Sequence, residues 1–123
     1  MDDTMTFGKF IERKRKQKDI TLRGFALSIN ISPVYACEIE KGRRPAPAQP
    51  DVLKSMARVL CLTDQEVLLM YDLAGKSKNA LPMDLPEYIM EKDIVKAALR
   101  KAKEVDATDE AWQEFIDRIS KQK

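Results

Sequence analysis

Between Ser32 and Arg44 the chain gathers Pro33, Val34, Tyr35, Cys37, Glu38, Lys41, Arg43 and Arg44, side chains suited to recognition rather than turnover. Pro33 and Val34 offer apolar surface, Tyr35 a ring with a hydroxyl, and Glu38 an acceptor-only carboxylate. Lys41, Arg43 and Arg44 offer donors that match the oxygens of an anion. If Ser32–Lys41 is a helix with Ala36 turned to a core, a step of about 100° per residue sets Ile39 and Glu40 beside Ala36. The same step sets Val34, Glu38 and Lys41 opposite, with Tyr35 and Cys37 at the flanks. A helix face exposed only to water is richer in Lys, Glu and Gln, so this one reads as a contact surface.

Other chemistries lack their parts. The chain contains no His, which removes the usual general base and metal ligand. Cys37 and Cys61 have neither C-x-x-C spacing nor a His partner, so no metal is expected. Cys61, at the end of an apolar stripe, reads as a small core residue. Glu38 and Glu40 fall on different sides of their helix and cannot share a proton. No Gly-rich phosphate loop, Ser–His pair or Lys pocket is visible. The chain is therefore read as no enzyme, with no catalytic residue, metal or cofactor.

The contact surface needs a support, and the preceding residues supply one. Phe25, Ala26 and Ile29 put three apolar side chains on one helical face. Asn30 tolerates the left-handed backbone of a tight corner, and Ile31 points back to the core. Ser32 then Pro33 opens the next helix, a hydroxyl N-cap followed by proline at the first helical position. Ala36 and Ile39 mark its buried side. Two short helices, a corner and a small residue where they cross make a helix-turn-helix.

The remaining chain reads as further helices, giving an all-α fold. Helix one is expected over Thr6–Lys18, with Phe7, Phe10 and Ile11 inward and Arg13, Lys14, Arg15, Lys16 and Lys18 around its second half. Thr21 caps helix two. Residues 43–50 hold three prolines, which predicts a rigid non-helical loop carrying Arg43 and Arg44. Asp51 is expected to cap helix four, with Leu53, Met56, Ala57 and Leu60 as its core stripe. Thr63-Asp64-Gln65-Glu66 is a capping box that opens helix five, which runs through Ala74 to Gly75 as C-cap. Residues 1–75 are thus one domain and 76–83 a linker. Residues 84–123 form a C-terminal helical extension. There Asp84-Leu85-Pro86-Glu87 starts a short helix to Lys92, Asp93 caps a second, and Thr108 caps a third. Trp112, Phe115, Ile116 and Ile119 make a stripe too apolar to leave in water. It must pack on the first domain, on its neighbour helix, or on a second chain.

Charge follows the same division. Residues 1–50 hold ten Lys or Arg and six Asp or Glu, whereas residues 76–123 hold ten of each. The positive excess beside the helix-turn-helix suits a polyanion partner. No stretch reaches the length of a membrane span, and Met1–Lys9 lacks a basic start followed by an apolar run. The expected location is the cytoplasm, with no membrane partner.

Phe7-Gly8, Ile11, Arg15, Ile20–Asn30, Ile31-Ser32-Pro33-Val34-Tyr35, Ile39-Glu40-Lys41-Gly42-Arg43-Arg44-Pro45 and Tyr71-Asp72-Leu73-Ala74-Gly75 together resemble the lambda-repressor/Cro-like, or Xre-type, helix-turn-helix family. The resemblance implies a five-helix DNA-binding domain whose second motif helix enters the major groove of a double-stranded operator. It implies a transcriptional regulator, expected to be a repressor, acting as a homodimer. Pro33, Val34, Tyr35, Cys37 and Glu38 would face the bases: Pro33 and Val34 toward thymine methyls, Glu38 accepting from a cytosine amino group. Lys41, Arg43, Arg44, Arg13 and Lys16 would hold phosphates. Arg15 and Glu40 occupy the family's scaffold ion pair. The chain departs from the family in carrying Leu22 where Gln is common. Xre-type folds also occur in antitoxins and regulators of mobile elements, and this is the alternative. Trp112, Phe115, Ile116 and Ile119 would then contact a protein partner rather than a second copy.

Overall fold

The computed structural model describes residues 4–122; Lys123 and the first three residues of the Met1–Lys9 stretch lie outside them. Eight helices and no strand are present among the described residues, so the fold is all-α. They are α1 (Phe7–Gln17), α2 (Leu22–Ser28), α3 (Pro33–Glu40), α4 (Pro50–Val59), α5 (Asp64–Ser77), α6 (Pro86–Glu91), α7 (Asp93–Val105) and α8 (Asp109–Ser120). The chain divides into one compact unit ending at Leu85 and another beginning at Pro86.

Local chemistry explains most helix starts. The hydroxyls of Thr6, Thr21, Ser32, Thr63 and Thr108 each accept a backbone N–H from three residues on, which satisfies one orphan donor of the helix that follows. At Thr63 the box is reciprocal, because Glu66 Oε1 accepts the Thr63 N–H at 2.9 Å. Two expected caps are corrected. Pro50 begins α4 with Gln49 before it and no side-chain cap, so Asp51 sits inside the first turn. Proline suits the first helical position because its φ is preset and it has no N–H to satisfy. Likewise Lys92 occupies the cap position of α7, and Asp93 is its first helical residue.

Six helices close in the same way. Asp19, Asn30, Gly42, Cys61, Asn79 and Asp106 take positive φ. The N–H after each bonds to the carbonyl five residues back, as in Ile31 N–H to Ala26 O at 3.0 Å and Leu62 N–H to Ala57 O at 3.0 Å. This corrects the reading of Cys61, which is exposed at the corner after α4 while Leu60 takes the buried place. Gly75 is corrected too. It lies within α5 and does not end it; the chain returns over it, so that an added Cβ would stand 2.6 Å from the Ala80 carbonyl oxygen.

The first unit is built on one core. Phe7, Phe10, Ile11, Phe25, Ile29, Ile39, Leu53, Met56, Leu60, Met70 and Leu73 are buried together, and Ile31 and Tyr35 pack at its edge. Each such side chain, fully buried, contributes about 1.5–3 kcal/mol. Within the core Ala26 and Ala36 are buried on α2 and α3, the small residues that let the two helices cross closely. Five helices pack in this unit, with α2 and α3 joined by the corner at Asn30 as a helix-turn-helix. Lys14 leaves the cationic face of α1 to pair with Glu66 of α5. That hydrogen bond, with the Thr63 N–H, holds the Glu66 carboxyl below its ordinary value.

Candidate nucleic-acid interface

The presentation of α3 follows from its burial pattern. Ala36 and Ile39 are buried, whereas Val34 is 74 % exposed. Pro33, Tyr35, Cys37 and Glu38 are half-buried, and Lys41, Arg43 and Arg44 are exposed. Of the set expected to face outward, Val34, Lys41, Arg43 and Arg44 are therefore the open members, along α3 and the turn after it. Gly42 closes that helix at φ 78°, with the Arg43 N–H donating to the Glu38 carbonyl at 2.9 Å. Open space surrounds a Cβ added there, so it is the backbone sign that calls for glycine.

Beyond Gly42 the chain is held rather than loose. Ala46 is buried and its N–H donates to Ser77 Oγ at 3.0 Å, while Ser77 donates to the Ala74 carbonyl at 2.7 Å. Lys78 Nζ donates to the Pro47 carbonyl at 3.3 Å. The last turn of α5 thus anchors the segment that carries the two arginines. Their side chains lean back on α3: Arg43 Nη1 lies 3.2 Å from Glu38 Oε2, and the Arg44 guanidinium carbon lies 5.5 Å from the Tyr35 ring centroid. Sequence reasoning placed Ser77 in a linker and missed this role. A serine three residues after Ala74 carries no signal of a partner 31 residues upstream.

Two further contacts fix α3 from behind. Arg15 Nε and Nη2 reach the two carboxylate oxygens of Glu40 at 2.7 and 2.9 Å, and Nη1 donates to the Ile20 carbonyl at 2.8 Å. Both side chains are nearly buried, at 10 and 6 % exposure. The hydrogen bond to Glu40 raises the Arg15 pKa further above its ordinary value, against the opposing effect of burial, so the guanidinium stays charged. Close by, Gly8 of α1 meets the end of α3, where an added Cβ would stand 2.4 Å from the Ile39 carbonyl oxygen and 2.6 Å from that of Glu40. Sequence reasoning held Gly8 only as part of the family resemblance; its physical task is to let two backbones touch.

The other expected anion-binding residues divide. Arg13 is exposed, and among the described residues it makes no ion pair. Lys16 is exposed and pairs along its own helix with Glu12 at 3.2 Å. Neither makes a hydrogen bond to α3 or to the two arginines among the described residues. An open cleft of about 500 Å³ lies between the first turn of α1 and the end of α3, bordered by Lys9, Lys41, Arg43, Arg44 and Ser77. No group of three or more His, Cys, Asp or Glu that could hold a metal ion occurs among the described residues. No helix there is long and apolar enough to cross a membrane.

In the second unit no residue among those described is buried. Trp112 and Phe115 meet edge to face with ring centroids 5.9 Å apart, and they remain partly open to solvent with Ile116 and Ile119. The stripe expected from spacing is thus on one helix, α8, and uncovered.

Comparison with known proteins is sparse. No family model matches this chain. No curated protein sequence matches it. Among solved structures, the clp gene regulator ClgR from Corynebacterium glutamicum is similar in two crystal structures. One has 30 % identity over 52 % of this chain and 80 % of that one, with a TM-score of 0.44. The other has 28 % identity over 68 and 85 %, with a TM-score of 0.46. A chain of the SinR protein/SinI protein complex is similar at 18 % identity over 95 and 97 %, with a TM-score of 0.46.

The Arg15–Glu40 pair generates a prediction about α3. Arg15→Ala leaves a carboxylate buried without its partner and should lower stability by about 3–5 kcal/mol in urea or thermal melts without ligand. Replacing both residues by Met should cost less than Arg15→Ala alone, because no orphan charge remains. An Arg15→Ala protein with unchanged melting temperature contradicts the scaffold role.

Proposed function

We propose that this protein is a sequence-specific regulator of transcription of Xre type, a cytoplasmic repressor that binds double-stranded operator DNA as a homodimer. The observation that carries the reading is the exposed strip on α3, apolar at Val34 and ending in Lys41, Arg43 and Arg44, on a helix clamped from behind by Arg15–Glu40. A helix of this size fits the major groove, where Pro33 and Val34 suit thymine methyls and Tyr35 and Cys37 border the bases. Lys41, Arg43, Arg44, Arg13 and Lys16 suit phosphates, which set register without reading sequence. The experiment is selection of bound duplexes from a random oligonucleotide pool, followed by affinity against salt. A common motif should emerge, and log affinity should fall linearly with log salt, by about 0.9 for each phosphate neutralised. Arg43→Ala with Arg44→Ala should weaken all duplexes similarly and flatten that slope. Failure to enrich any motif, with affinity indifferent to salt, contradicts the reading.

The uncovered stripe of α8 favours a role in assembly for the second unit. A two-fold operator needs two reading helices held about 34 Å apart, and a tail that joins two copies supplies the second. The break between Leu85 and Pro86 fits that use, with the reader first and the joining element last. The alternative, an antitoxin-like or mobile-element protein whose tail binds a different protein, rests on the same stripe. Trp112→Ala with Phe115→Ala separates them by sedimentation and by binding to full operators and half-sites. The homodimer reading expects loss of dimer mass and a larger loss on the full operator than on the half-site. A folded, unchanged dimer with unchanged operator affinity contradicts it and leaves the tail to another partner.

A further inference from the structure

We propose that Glu38 is an electrostatic brake on DNA binding, masking Arg43, rather than a reader of cytosine; this rests on the DNA-binding reading above. Of the two carboxylates on α3, Glu40 is committed to Arg15 in the interior, so Glu38 is the one that stands on the outward strip. Its partner is already in place. Arg43 Nη1 lies 3.2 Å from Glu38 Oε2. The backbone brings the two residues together, because the Arg43 and Arg44 N–H groups both donate to the Glu38 carbonyl, at 2.9 and 3.3 Å. Behind them, the Ala46–Ser77 hydrogen bond pins the next residues of the loop. The closeness of the two side chains is therefore built into the end of the helix.

The two arginines consequently differ. Arg44 rests on Tyr35, a neutral ring that leaves its charge available to a phosphate. Arg43 rests on a carboxylate that cancels its charge at short range and that itself repels a phosphate. Both groups of this pair are solvent-accessible, so the contact is weak and a phosphate can compete for Arg43. A duplex must draw Arg43 away from Glu38 to gain its contact. The result is binding at every sequence held below what the cations alone would give. A brake of this kind keeps non-specific affinity low while leaving discrimination to the apolar contacts of Pro33 and Val34.

The test uses the full chain, the duplex selected from the random pool and a duplex of mixed sequence, each titrated over a salt series. Five proteins are compared: wild type, Glu38→Gln, Arg43→Gln, the double variant of these two, and Arg44→Gln. Glu38→Gln should tighten both duplexes by a common, several-fold factor at low salt, a gain that shrinks as salt screens the exposed carboxylate. Most of this gain should vanish when Arg43 is also Gln. Arg44→Gln should cost more affinity than Arg43→Gln. Glu38→Gln that weakens the selected duplex and spares the mixed one overturns the brake in favour of base reading. An equal gain with and without Arg43 also overturns it, since the charge would then act without the mask. If wild type binds neither duplex, the DNA-binding reading itself has failed, a result distinct from either of these.

Discussion

The bidentate contact between Arg15 and Glu40 is the constraint on which the presentation of the first unit depends. Three donors of one guanidinium are used, two on Glu40 and one on the Ile20 carbonyl, so one side chain ties α1, the turn after it and α3. A buried ion pair is a poor source of net stability, because desolvation offsets most of the attraction. Its geometric demand is the larger effect. With Glu40 held inward, α3 cannot roll, and Val34 has no choice but to face out. Gly8 serves the same end by letting α1 touch the carbonyls of Ile39 and Glu40. A methyl at that position would force the helices apart and, with them, the two halves of the ion pair.

The two units differ in what holds them. The first has a continuous buried core contributed by all five of its helices. The second has amphipathic helices and no buried residue among those described. Isolated helices shorter than about 12–15 residues are marginal in water, and α7 and α8 have 13 and 12 residues. Capping by Thr108 and the Trp112–Phe115 contact add to α8 without covering its stripe. On the proposed reading, assembly would supply the apolar surface that covers this stripe.

Much of the first unit was legible because its signals are local. Thr21, Ser32 and Thr63 act on N–H groups three residues away, and Asn30 turns its own corner, so sequence alone locates them. The outward strip of α3 followed from one assumption, Ala36 inward. The Arg15–Glu40 pair was legible only through family resemblance, since nothing in a separation of 25 residues announces a contact. What escaped was set by tertiary approach or by competition among neighbours. Gly8 and Gly75 are dictated by backbones that arrive from elsewhere in the chain. Ser77 answers a donor 31 residues away. Cys61 looked like the next rung of an apolar stripe, but the helix ended one residue sooner and the left-handed corner turned it out. Asp51 and Asp93 are acceptable caps by type, and Pro50 and Lys92 moved the helix starts ahead of them.

In the proposed function the clamped outward strip of α3 is the surface that meets duplex DNA. Amide chemical-shift mapping of the isotopically labelled full chain, with the selected duplex added, tests it most directly. The account predicts that the largest shifts cluster at residues 32–44, with smaller ones along the second half of α1. Shifts confined to residues 109–120, or none at all on addition of excess duplex, would contradict it.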